Sequence, residues 1–337
     1  MRTPKTLATS LLTLSAAALL ALSAAGAATA SPAPAKAPLS TSDVTGHTVT
    51  ESGAADYWTA DRMRNAVPGD VLADKAMNRR MSAKPAAAPL EGAAPSTVEA
   101  TAPKKQSQAA LAQTPQTKAN ASETPVPHIG KVFFTLGGTN YVCSGNSVSS
   151  GNKSTVSTAG HCVNEGPGAF ATKFTFVPAY LNGASPYGKW TAKALYAPTQ
   201  WSSSGDMTYD TGFAVMSTLN GQYLSDVVGA SGLQFNAARG LGYKSFGYPA
   251  AAPFNGESLK SCSGAATNDP YNPQFNTQGI PCNMTGGSSG GPWFIGSSAS
   301  GYQNSINSYG YGSNSTKMYG PYWGSVIQQA YTTAAAS

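Results

Sequence analysis

The chain changes character near residue 128, and that break limits what each part can fold into. From Ser31 to Pro127 it is dominated by Ala, Pro, Thr, Ser, Lys and Gln. Stretches such as Lys84-Pro85-Ala86-Ala87-Ala88-Pro89 cannot bury enough apolar surface to offset the entropy of folding, so this leader is expected to be largely disordered. Within it only residues 50–82 carry apolar anchors, among them Tyr57, Trp58, Met63, Val67, Val71, Leu72, Met77 and Met81. Two short helices are expected there. From His128 onward, short runs rich in Val, Ile, Phe, Tyr and Thr alternate with Gly, Pro, Asn and Asp. Lys131–Leu136, Gly137-Gly138 and Asn140–Cys143 read as a hairpin with a glycine turn. Further strands are expected around Ser154–Ser157, Lys173–Val177, Trp190–Tyr196, Gly212–Met216, Tyr243–Tyr248, Gly291–Ile295 and Ser305–Tyr309. Many short strands with frequent turns imply an all-β barrel or sandwich. Tyr322, Val326, Ile327, Ala330 and Tyr331 recur at helical spacing, so a C-terminal helix is expected over 321–333.

The first thirty residues read as a signal peptide. Arg2 and Lys5 precede an interrupted apolar run from Leu7 to Leu22, and Ala28-Thr29-Ala30 offers the small residues a signal peptidase reads. Pro32 and Pro34 follow without a cytoplasmic anchor, so no membrane association is expected once this segment is removed. An exported chain makes its four cysteines meaningful: Cys143, Cys162, Cys262 and Cys282 read as two disulfides. Three connectivities are possible. Sequential pairing would close two loops of similar length, each contributing roughly 3 kcal/mol on the chain-entropy estimate. Zinc is disfavoured because no C-x-x-C pair exists. Only 11% of residues are Asp, Glu, Lys or Arg, against about 25% for an ordinary soluble domain. The formal charge of +6 shows no basic run with interleaved aromatics, so nothing supports nucleic-acid binding. No acidic cluster argues for a metal, and no cofactor is expected.

Two motifs carry chemistry: Thr158-Ala159-Gly160-His161-Cys162 and Gly286-Gly287-Ser288-Ser289-Gly290-Gly291-Pro292. A serine hydroxyl becomes a nucleophile only when a neutral imidazole takes its proton, and the imidazole needs a carboxylate to fix its tautomer. Of three histidines, His47 lies in the leader and His128 at the boundary, which leaves His161 as the base for Ser289. Chain order then selects among hydrolases. Gly287-Ser288-Ser289-Gly290-Gly291 also fits the G-x-S-x-G elbow of α/β-hydrolases, but that order needs a histidine after the serine and none follows. The subtilisin order needs Asp before His, and residues 128–160 contain no Asp or Glu. The acid lies among Asp206, Asp210, Asp226 and Asp269. Asp210 is favoured because it opens the apolar run Gly212–Met216; Asp206 is next, and Asp226 and Asp269 resemble turn residues.

These motifs, with Gly247-Tyr248-Pro249, resemble the chymotrypsin-like serine peptidases, in particular the bacterial secreted branch that includes the V8-like glutamyl endopeptidases. The resemblance covers residues 128–337. It implies two six-stranded antiparallel barrels, the first over about 128–218 and the second over about 219–312, with the triad His161, Asp210 and Ser289 in the cleft between them. It also implies a Cys143–Cys162 disulfide, an oxyanion hole from the N–H groups of Gly287 and Ser289, and substrate contact along Ser308, Tyr309 and Gly310. Residues 31–127 would be a propeptide, and Trp58-Thr59, Arg62-Met63, Ala66 and Pro68 resemble leaders of secreted actinobacterial peptidases. A monomeric, extracellular enzyme acting on protein or peptide substrates follows, with its own propeptide as partner. Two departures stand out. Ser288 precedes the nucleophile where animal trypsins carry an Asp, so their activation switch does not transfer. Asn283 stands where trypsin-like enzymes hold an acid, and Ile306–Gly310 lacks the histidine of glutamyl-specific relatives. A neutral P1 pocket is therefore expected. The alternatives are a catalytically silent secreted binding protein on the same fold and a hydrolase acting on esters.

Overall fold

Residues 43–81, 93–104, 121–312 and 314–337 are described by a computed structural model. The expected signal peptide lies outside the described residues; of the lysines that the sequence offers for leader cleavage, Lys104-Lys105 and Lys118, only Lys104 lies within them. The leader contains β1 (Val44–Thr48), α1 (Ala54–Tyr57), α2 (Ala60–Arg64), β2 (Val67–Pro68), α3 (Asp70–Met81), β3 (Ser96–Val98) and β4 (Ala121–Ser122). The first half of the body follows as β5 (Ile129–Leu136), β6 (Thr139–Val148), β7 (Thr155–Thr158), β8 (Thr172–Pro178), β9 (Trp190–Pro198), α4 (Thr199–Ser204) and β10 (Gly212–Met216).

Gly137 and Gly138 turn β5 back into β6 with Leu136 opposite Thr139, as the sequence predicts. The antiparallel order β5-β6-β7-β10-β9-β8 closes on itself, because β8 pairs with both β9 and β5. Side chains alternate between the faces of each strand. Val132 and Phe134 of β5 thus join Val156, Phe174, Phe176, Trp190, Leu195, Phe213 and Val215 in one core. Phe133 between them packs in a second core with Trp58 of the leader, their rings 5.4 Å apart. Burying each such side chain stabilises by about 1.5–3 kcal/mol. The run Val132-Phe133-Phe134 is apolar without a gap because both faces of β5 are covered.

The second half contains α5 (Leu224–Val228), β11 (Leu233–Phe235), β12 (Gly242–Gly247), β13 (Lys260–Ala265), β14 (Thr267–Asn268), β15 (Thr277–Pro281), β16 (Pro292–Ile295), β17 (Gln303–Ile306), β18 (Lys317–Pro321) and α6 (Ser325–Ala335). Its hydrogen bonds run in two sheets, β3-β11-β17-β16-β12-β13-β4 and β14-β15-β18. The Cys262–Cys282 disulfide joins them, as does the backbone N–H of Ser308 donating to Tyr319 at 2.9 Å. Both disulfides are sequential, Cys143 with Cys162 and Cys262 with Cys282. The C-terminal helix starts at Ser325 rather than near 321, because residues up to Pro321 pair with β15. It buries Ile327, Ala330, Tyr331 and Ala334, and the Tyr331 ring sits 5.8 Å from Phe213.

The leader is more ordered than its composition implies. Residues 50–82 hold three helices where two short ones are expected, the third running twelve residues. Beyond them, β1 adds antiparallel to β9, β3 to β11 and β4 to β13, while β2 runs parallel to β6. Strand addition satisfies exposed backbone N–H and C=O groups at sheet edges and asks little of side chains. An Ala/Pro/Thr count does not register it.

Candidate active site

His161 sits in a 3-10 turn, Gly160–Cys162, held from below by the Cys143–Cys162 disulfide and flanked by the Trp201 ring at 6.3 Å. Asp210 leaves a second 3-10 turn, Met207–Tyr209, just before β10. The antiparallel pairing of β10 with β7, Gly212 opposite Thr158, brings the two turns together. One Asp210 oxygen accepts the backbone N–H of His161 at 2.8 Å, and the other lies 2.8 Å from its Nδ1. Ser308 Oγ donates to that second oxygen at 2.5 Å. Both His161 and Asp210 are fully buried. With Nδ1–H given to the carboxylate, Nε2 carries the lone pair, and it has no hydrogen-bond partner among the described residues.

The other candidate acids are committed elsewhere. Asp206 caps the Met207–Tyr209 turn, accepting the N–H of Thr208 at 3.1 Å. Asp226 pairs with Lys104 of the leader at 2.9 Å. Asp269 accepts the N–H groups of Tyr271 and Asn272, as a turn residue does. It is also buried, taking Tyr309 Oη at 2.7 Å and Tyr311 Oη at 2.6 Å. Burial and this carboxylate push the Tyr309 hydroxyl well above the usual phenol range. Of the two other histidines, His47 stacks on Phe170 and His128 bonds Asn146.

Ser289 lies on the turn Gly286–Gly291, which reaches back to the first barrel. Its carbonyl accepts the N–H of Ser144 at 2.7 Å. Gly290 is pressed so closely onto Thr158 and Ala159 that a Cβ there would collide with Thr158 Oγ1 and the Ser144 carbonyl; its φ is +81°. Gly287, at φ +91°, leaves no room for a side chain against Ala250 and Tyr248. Two carbonyls of the turn are pinned. Gly286 O accepts Ala250 N–H at 2.6 Å, and Ser288 O accepts Gly291 N–H and Asn307 Nδ2, each at 3.0 Å. A trans peptide directs its N–H opposite its C=O. Anchoring these carbonyls therefore turns the N–H groups of Gly287 and Ser289 to the other side, where neither has a backbone acceptor among the described residues.

Asn307 holds this arrangement and was not singled out by sequence. Its Nδ2 donates to Phe246 O and Ser288 O, and its Oδ1 accepts from Ser245 Oγ at 2.6 Å and Trp293 Nε1 at 2.7 Å. A lone Asn just past a strand end has no local signature, and its four partners come from three separate segments. A cavity of about 200 Å³ runs beside Ser289, lined by Asn283, Thr285, Ser308, Tyr309, Gly310 and Lys317 among others. Ser308, Tyr309 and Gly310 thus line a cavity beside Ser289. Lys317 was overlooked; its Nζ donates to Thr267 Oγ1 at 2.9 Å. Asp70, Ala73 and Asp74 of the leader line the same cavity. Among the described residues, the one grouping of possible metal ligands is Cys143, His161 and Cys162, whose sulfurs are bonded to each other.

No family model matches the chain. Over 72 residues it is 36% identical to the extracellular metalloprotease of Bacillus subtilis strain 168, a stretch covering 21% of this chain and 22% of that protein. Among solved structures, the protease Anisep from Arthrobacter nicotinovorans is 84% identical with a TM-score of 0.64; the match covers 65% of this chain and 100% of Anisep. The thermostable serine protease AL20 from an extremophilic microorganism is 52% identical with a TM-score of 0.61, covering 63% of this chain and 98% of AL20. A Glu endopeptidase at 19% identity and a TM-score of 0.52, covering 66% and 98%, shares the fold.

Proposed function

The chain belongs to the chymotrypsin-like serine peptidases, and from that membership we propose that it is a secreted endopeptidase working through His161, Asp210 and Ser289. The observation that carries the assignment is the Asp210 carboxylate, which grips both the backbone N–H and Nδ1 of His161 at 2.8 Å. That grip fixes one imidazole tautomer, with Nε2 left as the base.

In the proposed reaction Ser289 Oγ attacks the scissile carbonyl while His161 Nε2 takes its proton. Asp210 stabilises the imidazolium that forms and is itself not protonated. The N–H groups of Gly287 and Ser289 receive the tetrahedral oxyanion; their carbonyls are pinned beforehand, so no reorganisation accompanies charge development. His161 then protonates the leaving amine, and the carbon–nitrogen bond breaks to leave an ester on Ser289. Water, deprotonated by the same nitrogen, hydrolyses that acyl-enzyme. The backbone of Ser308–Gly310 would pair with the substrate on the acyl side.

Behind a signal peptide, the leader is proposed as a propeptide; composition sets its end at 127, and the pairing of Ala121 and Ser122 with β13 argues for an end upstream of Ala121. Two disulfides suit an oxidising, extracellular setting, and the local likeness to an extracellular protease of Bacillus subtilis is consistent with export. We hold the P1 pocket to be neutral. Among its described body residues there is no carboxylate to receive an Arg or Lys side chain, and the one cation, Lys317, donates to Thr267 Oγ1 at 2.9 Å. The test is a peptide-library profile of the leader-free enzyme, with Ser289→Ala as control. Cleavage after uncharged residues, absent in Ser289→Ala, is expected. Cleavage only after Arg or Lys would overturn the neutral pocket, and cleavage only after Glu would do so and point to Lys317. Turnover of esters without any of peptides would overturn the endopeptidase.

A further inference from the structure

The leader does more than cover edges, because its path crosses the cleft. After β2 pairs with β6, Gly69 donates its N–H to Val142 O at 2.9 Å and lies against Cys143 Sγ. A Cβ at Gly69 would come within 3.9 Å of His161 Cδ2. α3 begins at the next residue. Asp70 is seated on Gly286 so closely that a side chain there would overlap its carboxylate. Asp74, one helical turn on, shares that face with Ala73, and both line the cavity beside Ser289. Burial and mutual repulsion raise the Asp70 carboxyl, burial raises that of Asp74, and the nearby His161 opposes both. With the leader in place His161 is 0% exposed and Ser289 4%. A scissile carbonyl would need the same space.

The grips that hold the leader do not depend on the stretch between Lys104 and Ala121. β1 lies along β9 from Val44–Pro198 to Thr48–Ala194, and β3 lies along β11. Trp58 is fully buried and donates to Lys173 O at 2.7 Å. Lys189 Nζ donates to the carbonyls of Ala55 and Trp58, and Arg79 donates to those of Glu165 and Gly166. β4, by contrast, is bound to β13 on the far side of that stretch.

We propose that residues 43–104 are an inhibitor that remains on the body after the chain is severed between Lys104 and Ala121, with Asp70 as the group that fills the cleft. Severing hydrolyses one peptide bond and leaves every grip intact, so activation takes a second event, removal or digestion of the leader. The inference rests on the serine-peptidase reading and on the leader being a propeptide.

The test inserts a recognition sequence for an unrelated protease between Lys104 and Ala121 of the full chain and cuts it to completion. The two pieces are expected to co-elute in size exclusion. A fluorophosphonate is expected to label Ser289 at least about 10-fold more slowly than in leader-free enzyme recovered from a secreting culture. Asp70→Ala should accelerate labelling of the nicked complex by a similar factor while the pieces still co-elute. Val71→Ala, on the exposed face of α3, should change nothing. Should Asp70→Ala fail to fold, Asp70→Asn, which keeps the volume, is read the same way. Labelling of the nicked complex as fast as that of leader-free enzyme would overturn the proposal, as would an Asp70 variant as slow as its parent. If leader-free enzyme itself does not label, the serine-peptidase reading fails instead.

Discussion

Asn307 touches no substrate in the proposed reaction, yet it holds the backbone that would bind the oxyanion. Removing its side chain takes a buried partner from Phe246 O, Ser245 Oγ and Trp293 Nε1, and one of two from Ser288 O, which keeps the Gly291 N–H. Each unsatisfied group costs about 1–3 kcal/mol, with relaxation and water entry recovering part of the sum. Asn307→Ala is therefore expected to lower unfolding free energy by about 3–5 kcal/mol, measured by denaturant unfolding in a Ser289→Ala background. A loss below about 1 kcal/mol would show that the clamp is dispensable. At this scale legibility was uneven. His161 was singled out through scarcity and Ser289 through its glycines. Asp210 was favoured only by the apolar strand it opens, and the carboxylate grip on His161 separates it from the capping Asp206. Asn307 and Asp70 left no trace, because each acts through contacts with segments remote in the chain.

The strands follow the same rule at the scale of elements. β5 to β10 were readable where β-branched and aromatic residues alternate. β13 (Lys260–Ala265), β15 (Thr277–Pro281) and β18 (Lys317–Pro321) were not, since Gly, Ser and Pro interrupt them. Their ladders come from neighbours already in place and from the Cys262–Cys282 bridge. The pairing of β4 argues for a body that begins upstream of residue 128. Ala121 and Ser122 pair with β13, and Glu123 accepts from Ser261 Oγ at 2.6 Å and pairs with Lys244 at 2.7 Å. N-terminal sequencing of the secreted enzyme is expected to start at or before Ala121. A start at His128 would mean that β4 and the Glu123 pair are discarded with the leader.

For the molecule as a whole, the buried ammonium of Lys131 sets an unusual response to pH. It donates to Gly256 O at 2.9 Å and lies over the Tyr180 ring at 4.3 Å, and burial lowers its pKa to about 8. The unfolded chain holds that proton up to about 10.4. Between those values the unfolded state binds more protons, so stability rises with pH there and is lowest, for this group, below 8. Above about 10 the buried tyrosines reverse the trend: Tyr243 and Tyr331, raised to about 12, keep their protons only when folded. Denaturant unfolding of the Ser289→Ala chain at pH 7.5 and 9.5 is expected to show a gain of about 1–3 kcal/mol at the higher pH. The gain should be absent in Lys131→Met; an equal gain in that variant would assign it to other groups. The central claim, that Ser289 is a nucleophile activated by His161, is tested most directly by mapping a fluorophosphonate adduct on leader-free enzyme by peptide mass spectrometry. A single adduct on Ser289, lost in both Ser289→Ala and His161→Ala, is expected. An unlabelled Ser289 in folded, leader-free protein, or labelling that survives His161→Ala undiminished, would contradict it.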